Sequence, residues 1–484
     1  MLRRLQTLSI LCMLGLPDSA WAQCSPGDLS AQLDALIDDG RLKGTQISGM
    51  VVHADSGESL WSREPDLPLN PASTQKLLTL LAVLDALGPS YKIKTTIEAH
   101  GTVTDGVLEG DLYIRGGGDP TLEFPRWRKL IEDSYVAGIH RVTGNLVIDN
   151  SLLEPQKIPG WSGGNESFTG SLYEAPISAL NIHYNSLGLL ISPGATVDAP
   201  VDARLEIPTS AAIIDNQAMT KARGRTQLSL DRQTSGKTTK LVLTGTMATA
   251  ANTKWIYRSL ASPLDYAAVT FREIYGEMGG IVEGELHTKE TPEDTQIISA
   301  TLSPHTGFIL GEMTKHSNNQ MAEQMAVIAA QETYGRSSRV AVKRLLLDTL
   351  QAHGIDIDGA VLLNASGLSR KARMTSRQLV QTTAALRAHP QWSYEAMASL
   401  AIFGRDGTVK SRLRGTPAAD RVRAKTGSMS GVAAIAGVAE TSSNQSLAFA
   451  LIVNDLPEKN QAKTIWNEMV DTMIQTCPAD TAIP

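Results

Sequence analysis

The chain has 484 residues, of which 42% are hydrophobic and 19% charged, and carries a formal net charge of -6. That length is too great for one ordinary core, and the apolar share is too high for wholesale disorder, so several packed folding units are expected. No dense Lys/Arg tract occurs, which argues against a nucleic-acid footprint or a polybasic membrane patch.

The chain opens with Met1-Leu2-Arg3-Arg4, an apolar run from Leu5 to Leu16, and Ala20-Trp21-Ala22. A basic start, a short apolar stretch and a small-x-small end predict a signal peptide over 1–22, cleaved after Ala22. Neither Cys12 nor Cys24 sits in the small-residue context of a lipid anchor, and no later stretch is apolar enough to span a bilayer. Cleavage would leave Cys24 and Cys477, one near each end. Two cysteines in an oxidising compartment tend to pair, but the sequence leaves their pairing open.

In chain order, Ile47 to Ala54 reads as a strand, Asp55-Ser56-Gly57-Glu58 as a turn, and Ser59-Leu60-Trp61 as the start of a partner strand. Asn70 can cap a helix whose first turn holds Pro71, Ala72 and Ser73, with Leu77, Leu78, Leu80, Leu81, Leu84 and Leu87 at helical spacing before Gly88-Pro89. From about Lys94 to Tyr257 short alternating runs broken by turns such as Thr104-Asp105-Gly106 predict a separate β-rich segment. Helical patterns return after Pro263, over Leu264 to Met278 and Gln320 to Gln331. Two strong strands, Gly431 to Val438 and Leu447 to Val453, precede a helix around Ile465 to Met473, which implies a sheet flanked by helices.

Three short motifs carry candidate chemistry. Ser73-Thr74-Gln75-Lys76 sets a hydroxyl and an amine three apart at a helix start, where the two share a face. A lysine with a lowered pKa can take the proton that makes such a serine nucleophilic, and the helix terminus favours developing negative charge. Ser317-Asn318-Asn319 stands directly before a predicted helix, and Lys425-Thr426-Gly427-Ser428 directly before a predicted strand. Alone, each reads more simply as a helix cap or a solvated turn. In this order, each in the context the chemistry requires, they point together to acyl transfer through a serine.

At these motifs the chain resembles the penicillin-recognising serine enzymes. The phrases Leu69-Asn70-Pro71-Ala72-Ser73-Thr74-Gln75-Lys76-Leu77-Leu78-Thr79, Gly117-Gly118-Asp119-Pro120-Thr121-Leu122, Ser366-Gly367-Leu368-Ser369-Arg370 and Gly404-Arg405-Asp406-Gly407-Thr408 are similar to the D-alanyl-D-alanine carboxypeptidase/endopeptidase family, the class C low-molecular-mass penicillin-binding proteins. The likeness runs over nearly all the mature chain. It implies an α/β multi-domain protein with a discontinuous, serine β-lactamase-like transpeptidase domain, an antiparallel sheet flanked by helices, and two β-rich inserts. The catalytic domain would comprise 24–94 and 262–484, insert domain II 95–120 and 187–261, and insert domain III 121–186.

The same resemblance implies roles. Ser73 would be the nucleophile and Lys76 its base, with Ser317 and Lys425 relaying a proton to the leaving group. Asn319 would bind the substrate amide, Thr426 the terminal carboxylate, and the N–H groups of Ser73 and Ser428 the oxyanion, beside Gly427. The substrate would be peptidoglycan stem peptides in the periplasm, β-lactams would inhibit, and neither metal nor cofactor is required. Glu166 and Arg370 could pair with the ammonium and carboxylate of a diaminopimelate side chain. One departure stands out: the family phrase ahead of Ser366 carries Asp-Gly, and this chain has Asn364-Ala365.

Rival readings are a serine β-lactamase and a catalytically inactive wall-binding protein. A class A lactamase would need a Glu-x-x-x-Asn water activator soon after the Ser-x-Asn turn, which is absent, and the intact motif residues argue against a dead site. Gly160-Trp161-Ser162-Gly163-Gly164 fits Gly-x-Ser-x-Gly without the strand and helix that motif needs, so it reads as a loop. His316 reads as a loop histidine and Gly116-Gly117-Gly118 as a tight turn rather than a phosphate cradle.

Overall fold

The computed structural model describes residues 26–153, 170–235, 238–457 and 459–475. The signal-peptide reading, Cys24, Cys477, Glu166 and the Gly160–Gly164 phrase lie outside these residues.

Among the described residues a six-stranded antiparallel sheet joins the two ends of the chain, in the order Ala401–Ile402, Val422–Met429, Val432–Glu440, Ser446–Asn454, Gln46–His53, Ser59–Arg63. The strands Val432–Glu440 and Ser446–Asn454 are buried along nearly their whole length. Both faces are covered, so these strands read as continuous apolar runs rather than as an alternation. Residue parity sorts the side chains by layer. Met50, Val52, Ala434, Ala436, Ala450 and Ile452 face a large helical layer. Val51, Ile435, Phe449, Leu451 and Val453 face the terminal helices Pro26–Ile37 and Lys459–Gln475.

At the centre of the helical layer is Lys76–Leu87, whose Leu77, Leu78, Leu80 and Leu81 are all fully buried. A helix apolar on every side belongs inside a protein, and here it is wrapped by Asn319–Tyr334, Arg339–Ala352 and Ser376–Ala388. Gly88, at φ 68°, ends it and donates its N–H to the Leu84 carbonyl at 2.9 Å.

The middle of the chain has its own core. The hairpin Lys94–Thr104/Val107–Arg115 turns at Asp105-Gly106, whose φ values of 48° and 82° suit a tight two-residue loop. Leu146–Asp149 joins this hairpin in parallel, and Gln296–Leu302 adds antiparallel to Lys94–Thr104. The helices Phe124–Val136 and Pro263–Glu277 pack on this sheet, with Trp127 Nε1 donating to Thr270 Oγ1 at 3.1 Å. Two smaller sheets follow, one around Gln227–Ser235 and Thr238–Ala248, the other Lys254–Ser259, Ser186–Ser192 and Asp202–Leu205. The glycines Gly116 and Gly117 sit where a Cβ would lie 2.2 Å from the carbonyls of Ala179 and Lys94; their role is close chain crossing.

Because the serine turn sits on the Lys76–Leu87 helix, packing there controls the site. Leu81→Ala should cost about 2–5 kcal/mol, the range for emptying a leucine site in a core, and the urea midpoint of unfolding is the measurement that checks it.

Candidate active site

The serine turn differs from the simple helix start expected of its sequence. Ala72–Gln75 is a 3-10 turn, and the α-helix proper begins at Lys76. Asn70 is not the cap that its sequence position suggests, since Pro71 precedes the turn in that place without a side-chain cap; instead the Asn70 Oδ1 accepts the Ala72 N–H at 2.9 Å, while its Nδ2 donates to the carbonyls of Ser369 and Arg370 at 3.0 and 2.9 Å. In a 3-10 turn residues three apart eclipse one another. That tightening brings Lys76 Nζ to 3.1 Å from Ser73 Oγ.

Lys76 is wholly buried. Its Nζ donates to Asn319 Oδ1 and to the Ser366 carbonyl, each at 2.7 Å. A neutral amine has two N–H bonds and one lone pair; with both N–H groups taken by these closer acceptors, the lone pair is left for the Ser73 hydroxyl. Burial pulls the Lys76 pKa down to about 7, against an opposing pull from the Glu323 carboxylate. At neutral pH roughly half of such amines are free base, compared with roughly one in a few thousand for an ordinary lysine.

A second lysine lies on the strand Val422–Met429. Lys425 is also fully buried, and its Nζ donates to Ser317 Oγ at 2.9 Å and to the Thr426 carbonyl at 2.6 Å. Burial, then the neighbouring charge of Lys76, holds it well below the usual lysine range. Ser317 occupies the left-handed region, φ 57°, at the turn into the helix Asn319–Tyr334. Gly427 is there for lack of space: a Cβ would lie 2.7 Å from the Pro71 carbonyl and 2.9 Å from the Ser73 nitrogen. Ser428 is exposed beyond it, and Thr426 Oγ1 lies 2.8 Å from Thr408 Oγ1.

Ser73, Lys76 and Asn319 thus form one hydrogen-bonded group, Ser317, Lys425 and the Thr426 carbonyl a second, and the closely packed Gly427 sets the second against the serine turn, so that together they make one catalytic network. Arg370 stands on the exposed rim, its Nη1 3.4 Å from the Ser430 carbonyl just past that strand. His316 caps the helix Thr306–Lys315 that precedes the Ser317 turn, largely exposed and 3.7 Å from Glu312, and makes no hydrogen bond to these residues.

Three participants were not singled out from the sequence. Glu323 follows Asn319 by one helical turn and is buried; its carboxylate accepts the N–H groups of Ala365 at 3.0 Å and Ser366 at 2.8 Å. It therefore fixes the loop whose carbonyl holds Lys76. Tyr173 of the middle segment accepts from Asn319 Nδ2 through its carbonyl at 3.1 Å, and Thr408 partners Thr426. The i, i+4 spacing of Asn319 and Glu323 was the available signal for the first; nothing local marks the others. The Asn364-Ala365 departure is accommodated: Asn364 Oδ1 accepts the Gly367 N–H at 3.1 Å, and Ala365, fully buried with its carbonyl accepting from Thr79 at 2.6 Å, has no left-handed φ that would demand glycine.

A near-edge strand of an antiparallel sheet set against a serine turn, with a helical layer behind, is the architecture of the penicillin-binding serine enzymes. The crystal structure of penicillin-binding protein 4 from Haemophilus influenzae superposes with a TM-score of 0.77 at 21% identity, covering 91% of this chain and 97% of that one. The family model for D-Ala-D-Ala carboxypeptidase 3 (S13) matches residues 29–476, and the chain belongs to that family. It is 30% identical over 444 residues to a D-alanyl-D-alanine carboxypeptidase of Actinomadura sp. (strain R39), covering 88% of this chain and 81% of the relative. It is 26% identical over 391 residues to D-alanyl-D-alanine carboxypeptidase DacB of Haemophilus influenzae, covering 79% and 80% respectively.

If Lys76 must be free base, acylation should rise with pH through a limb near 7, the value to which burial pulls it. Glu323→Gln removes the carboxylate that opposes this pull, so the limb should move to lower pH; it also leaves one of the two loop N–H groups facing an amide donor, so stability should fall. Stopped-flow acylation rates against pH check the first effect and thermal unfolding the second.

Proposed function

We propose that this chain is a penicillin-sensitive serine D-Ala-D-Ala carboxypeptidase and D,D-endopeptidase of peptidoglycan, working through an acyl-enzyme on Ser73. The observation that carries this reading is the wholly buried Lys76 amine 3.1 Å from Ser73 Oγ, its pKa brought down to about 7 by burial. In the first step Lys76 Nζ takes the hydroxyl proton as Ser73 Oγ attacks the carbonyl carbon of the penultimate D-alanine. The N–H groups of Ser73 and Ser428 receive the oxyanion, a contribution of roughly 3–4 kcal/mol per donor in related acyl transfers. Ser317, hydrogen-bonded to Lys425, passes a proton to the leaving nitrogen, Thr426 holds its carboxylate, and Asn319 holds the substrate amide. Water then hydrolyses the ester.

The arrangement of Glu323 favours this reading over a β-lactamase. Its carboxylate is buried and turned to the N–H groups of Ala365 and Ser366, the position of a loop anchor rather than of a water-activating base. Signal-peptide export, from the basic and apolar start of the chain, would deliver the enzyme to the periplasm; no described helix is long and apolar enough to cross a membrane. The inserted middle portion is proposed to run to Leu302, because helix Pro263–Glu277 and strand Gln296–Leu302 pack with the sheet of Lys94–Arg115.

Fluorescent penicillin labelling tests the assignment. Ser73→Ala should abolish the adduct in a folded protein, and Lys76→Ala should slow its formation by orders of magnitude; a penicilloyl group found by mass spectrometry on another serine overturns the mechanism. Arg370 on the rim, with Glu166, is proposed to grip a diaminopimelate side chain. Arg370→Ala should then lose about ten- to a hundredfold in kcat/KM on a diaminopimelate-like peptide while sparing an acetyl-lysine analogue. Equal loss on both would remove Arg370 from substrate selection.

A further inference from the structure

Adjoining the catalytic network, and sharing Ser317 and Asn319 with it, lies a cavity of about 560 Å³ whose far wall has no part in the steps above. Its one wall is the Ser317-Asn318-Asn319 turn with Glu312 of the preceding helix; the opposite wall belongs to the inserted portion and carries Tyr173, His183, Tyr184, Glu206 and Tyr257. This volume falls within the roughly 300–1,000 Å³ of ordinary small-molecule sites.

The insert wall is built around a glycine. Gly188, buried in the strand Ser186–Ser192, faces Tyr257 across the ladder, and a Cβ there would lie 2.8 Å from the Tyr257 ring and 2.2 Å from Glu206 Oε2. The bare backbone therefore lets an aromatic ring lie on the sheet with a carboxylate beside it. Trp255, two residues along on the same face, stacks on Tyr257 with ring centroids 6.1 Å apart and planes at 22°, and is itself 48% exposed. The aromatic surface thus continues from the cavity outward.

The adjoining turn is held at a cost. His183, Tyr184 and Asn185 have φ values of 50°, 58° and 48°, three successive left-handed residues, where roughly 1 kcal/mol or more of strain per non-glycine residue is usual. Tyr184 OH donates to Glu123 at 2.9 Å, Asn185 Nδ2 donates to the Pro176 carbonyl at 2.9 Å, and His183 Nε2 lies 3.1 Å from Glu206 Oε2. Strain of this kind concentrates at ligand clamps, and this turn delivers His183 and Tyr184 to the cavity wall.

We infer that the cavity between the Ser317–Asn319 turn and the insert sheet is a saccharide subsite, with Tyr257 and Trp255 as the stacking platform and Glu206 and Glu312 as acceptors for sugar hydroxyls. A sugar ring presents a flat C–H face to an aromatic ring and O–H donors at its edge, which matches a wall rich in acceptors. No lysine or arginine is among its described lining residues, so a site for an anion is not offered. A lone ammonium fits less well, because the cavity is far larger than such a group and its aromatic wall would be left unused. The ligand class is the amino-sugar glycan that peptidoglycan stems are attached to, which rests on the wall-peptide reading of the catalytic site.

The test separates the two. Binding of an N-acetylglucosamine tetramer to the full mature chain is followed by tryptophan fluorescence and calorimetry, and kcat/KM is compared for a disaccharide-bearing stem pentapeptide and the bare pentapeptide. The tetramer should bind, the sugar-bearing substrate should be favoured, and Trp255→Ala and Tyr257→Ala should each lose about tenfold in tetramer affinity and in that preference. Glu206→Gln should lose affinity with no change in penicillin labelling. Absence of tetramer binding in a protein that still forms the penicilloyl adduct overturns the subsite alone; absence of the adduct overturns the catalytic reading. A bare peptide with a free amino terminus that outcompetes the sugar, and loses its advantage in Glu206→Gln, would replace the saccharide by an ammonium.

Discussion

Everything at this site depends on keeping one lysine amine out of water. Lowering Lys76 from its ordinary value to about 7 corresponds to roughly 5 kcal/mol of burial penalty. The penalty is fully present below about pH 7, where the ammonium is buried, and fades as the pH climbs toward the unfolded value of 10.5. A domain of ordinary stability can carry such a term only if the rest of the core is well packed. The leucine-lined helix that starts at Lys76, enclosed on all sides, meets that need.

Holding the amine in a useful orientation takes parts from distant segments. Asn319 comes from a helix start far along the chain, and the Ser366 carbonyl from a loop pinned by Glu323 and Thr79. The close approach of that loop is possible because Gly367, at φ 75°, leaves no Cβ where one would meet the Ala72 carbonyl at 2.0 Å. Gly427 does the same on the other side of the serine turn. The site is therefore assembled by contacts between backbones, which tolerate no side chain, as much as by the groups that react.

The insert also reaches the reaction centre. Tyr173 offers its carbonyl to Asn319, the same residue that receives Lys76. The cavity behind it shares Ser317 and Asn319 with the catalytic network. The middle portion is consequently in direct contact with the Asn319 turn and not merely a passenger on the fold.

The three motifs were legible from residue type and spacing, since a hydroxyl and an amine three apart at a helix start can meet whatever surrounds them. The β-rich texture of the middle and the paired terminal strands were legible too, because alternation, continuous apolar runs and Asp-Gly turns are local properties of the sequence. What the sequence by itself determined stops at such local relations. Only the tertiary structure decided that the Ser73 turn is 3-10 rather than α, that Gln296–Leu302 crosses back to Lys94–Thr104, and that Glu323 anchors the Ser366 loop. The same holds for the depressed pKa of Lys76: burial is a property of the atoms that exclude water around an amine, and those atoms come from segments hundreds of residues apart.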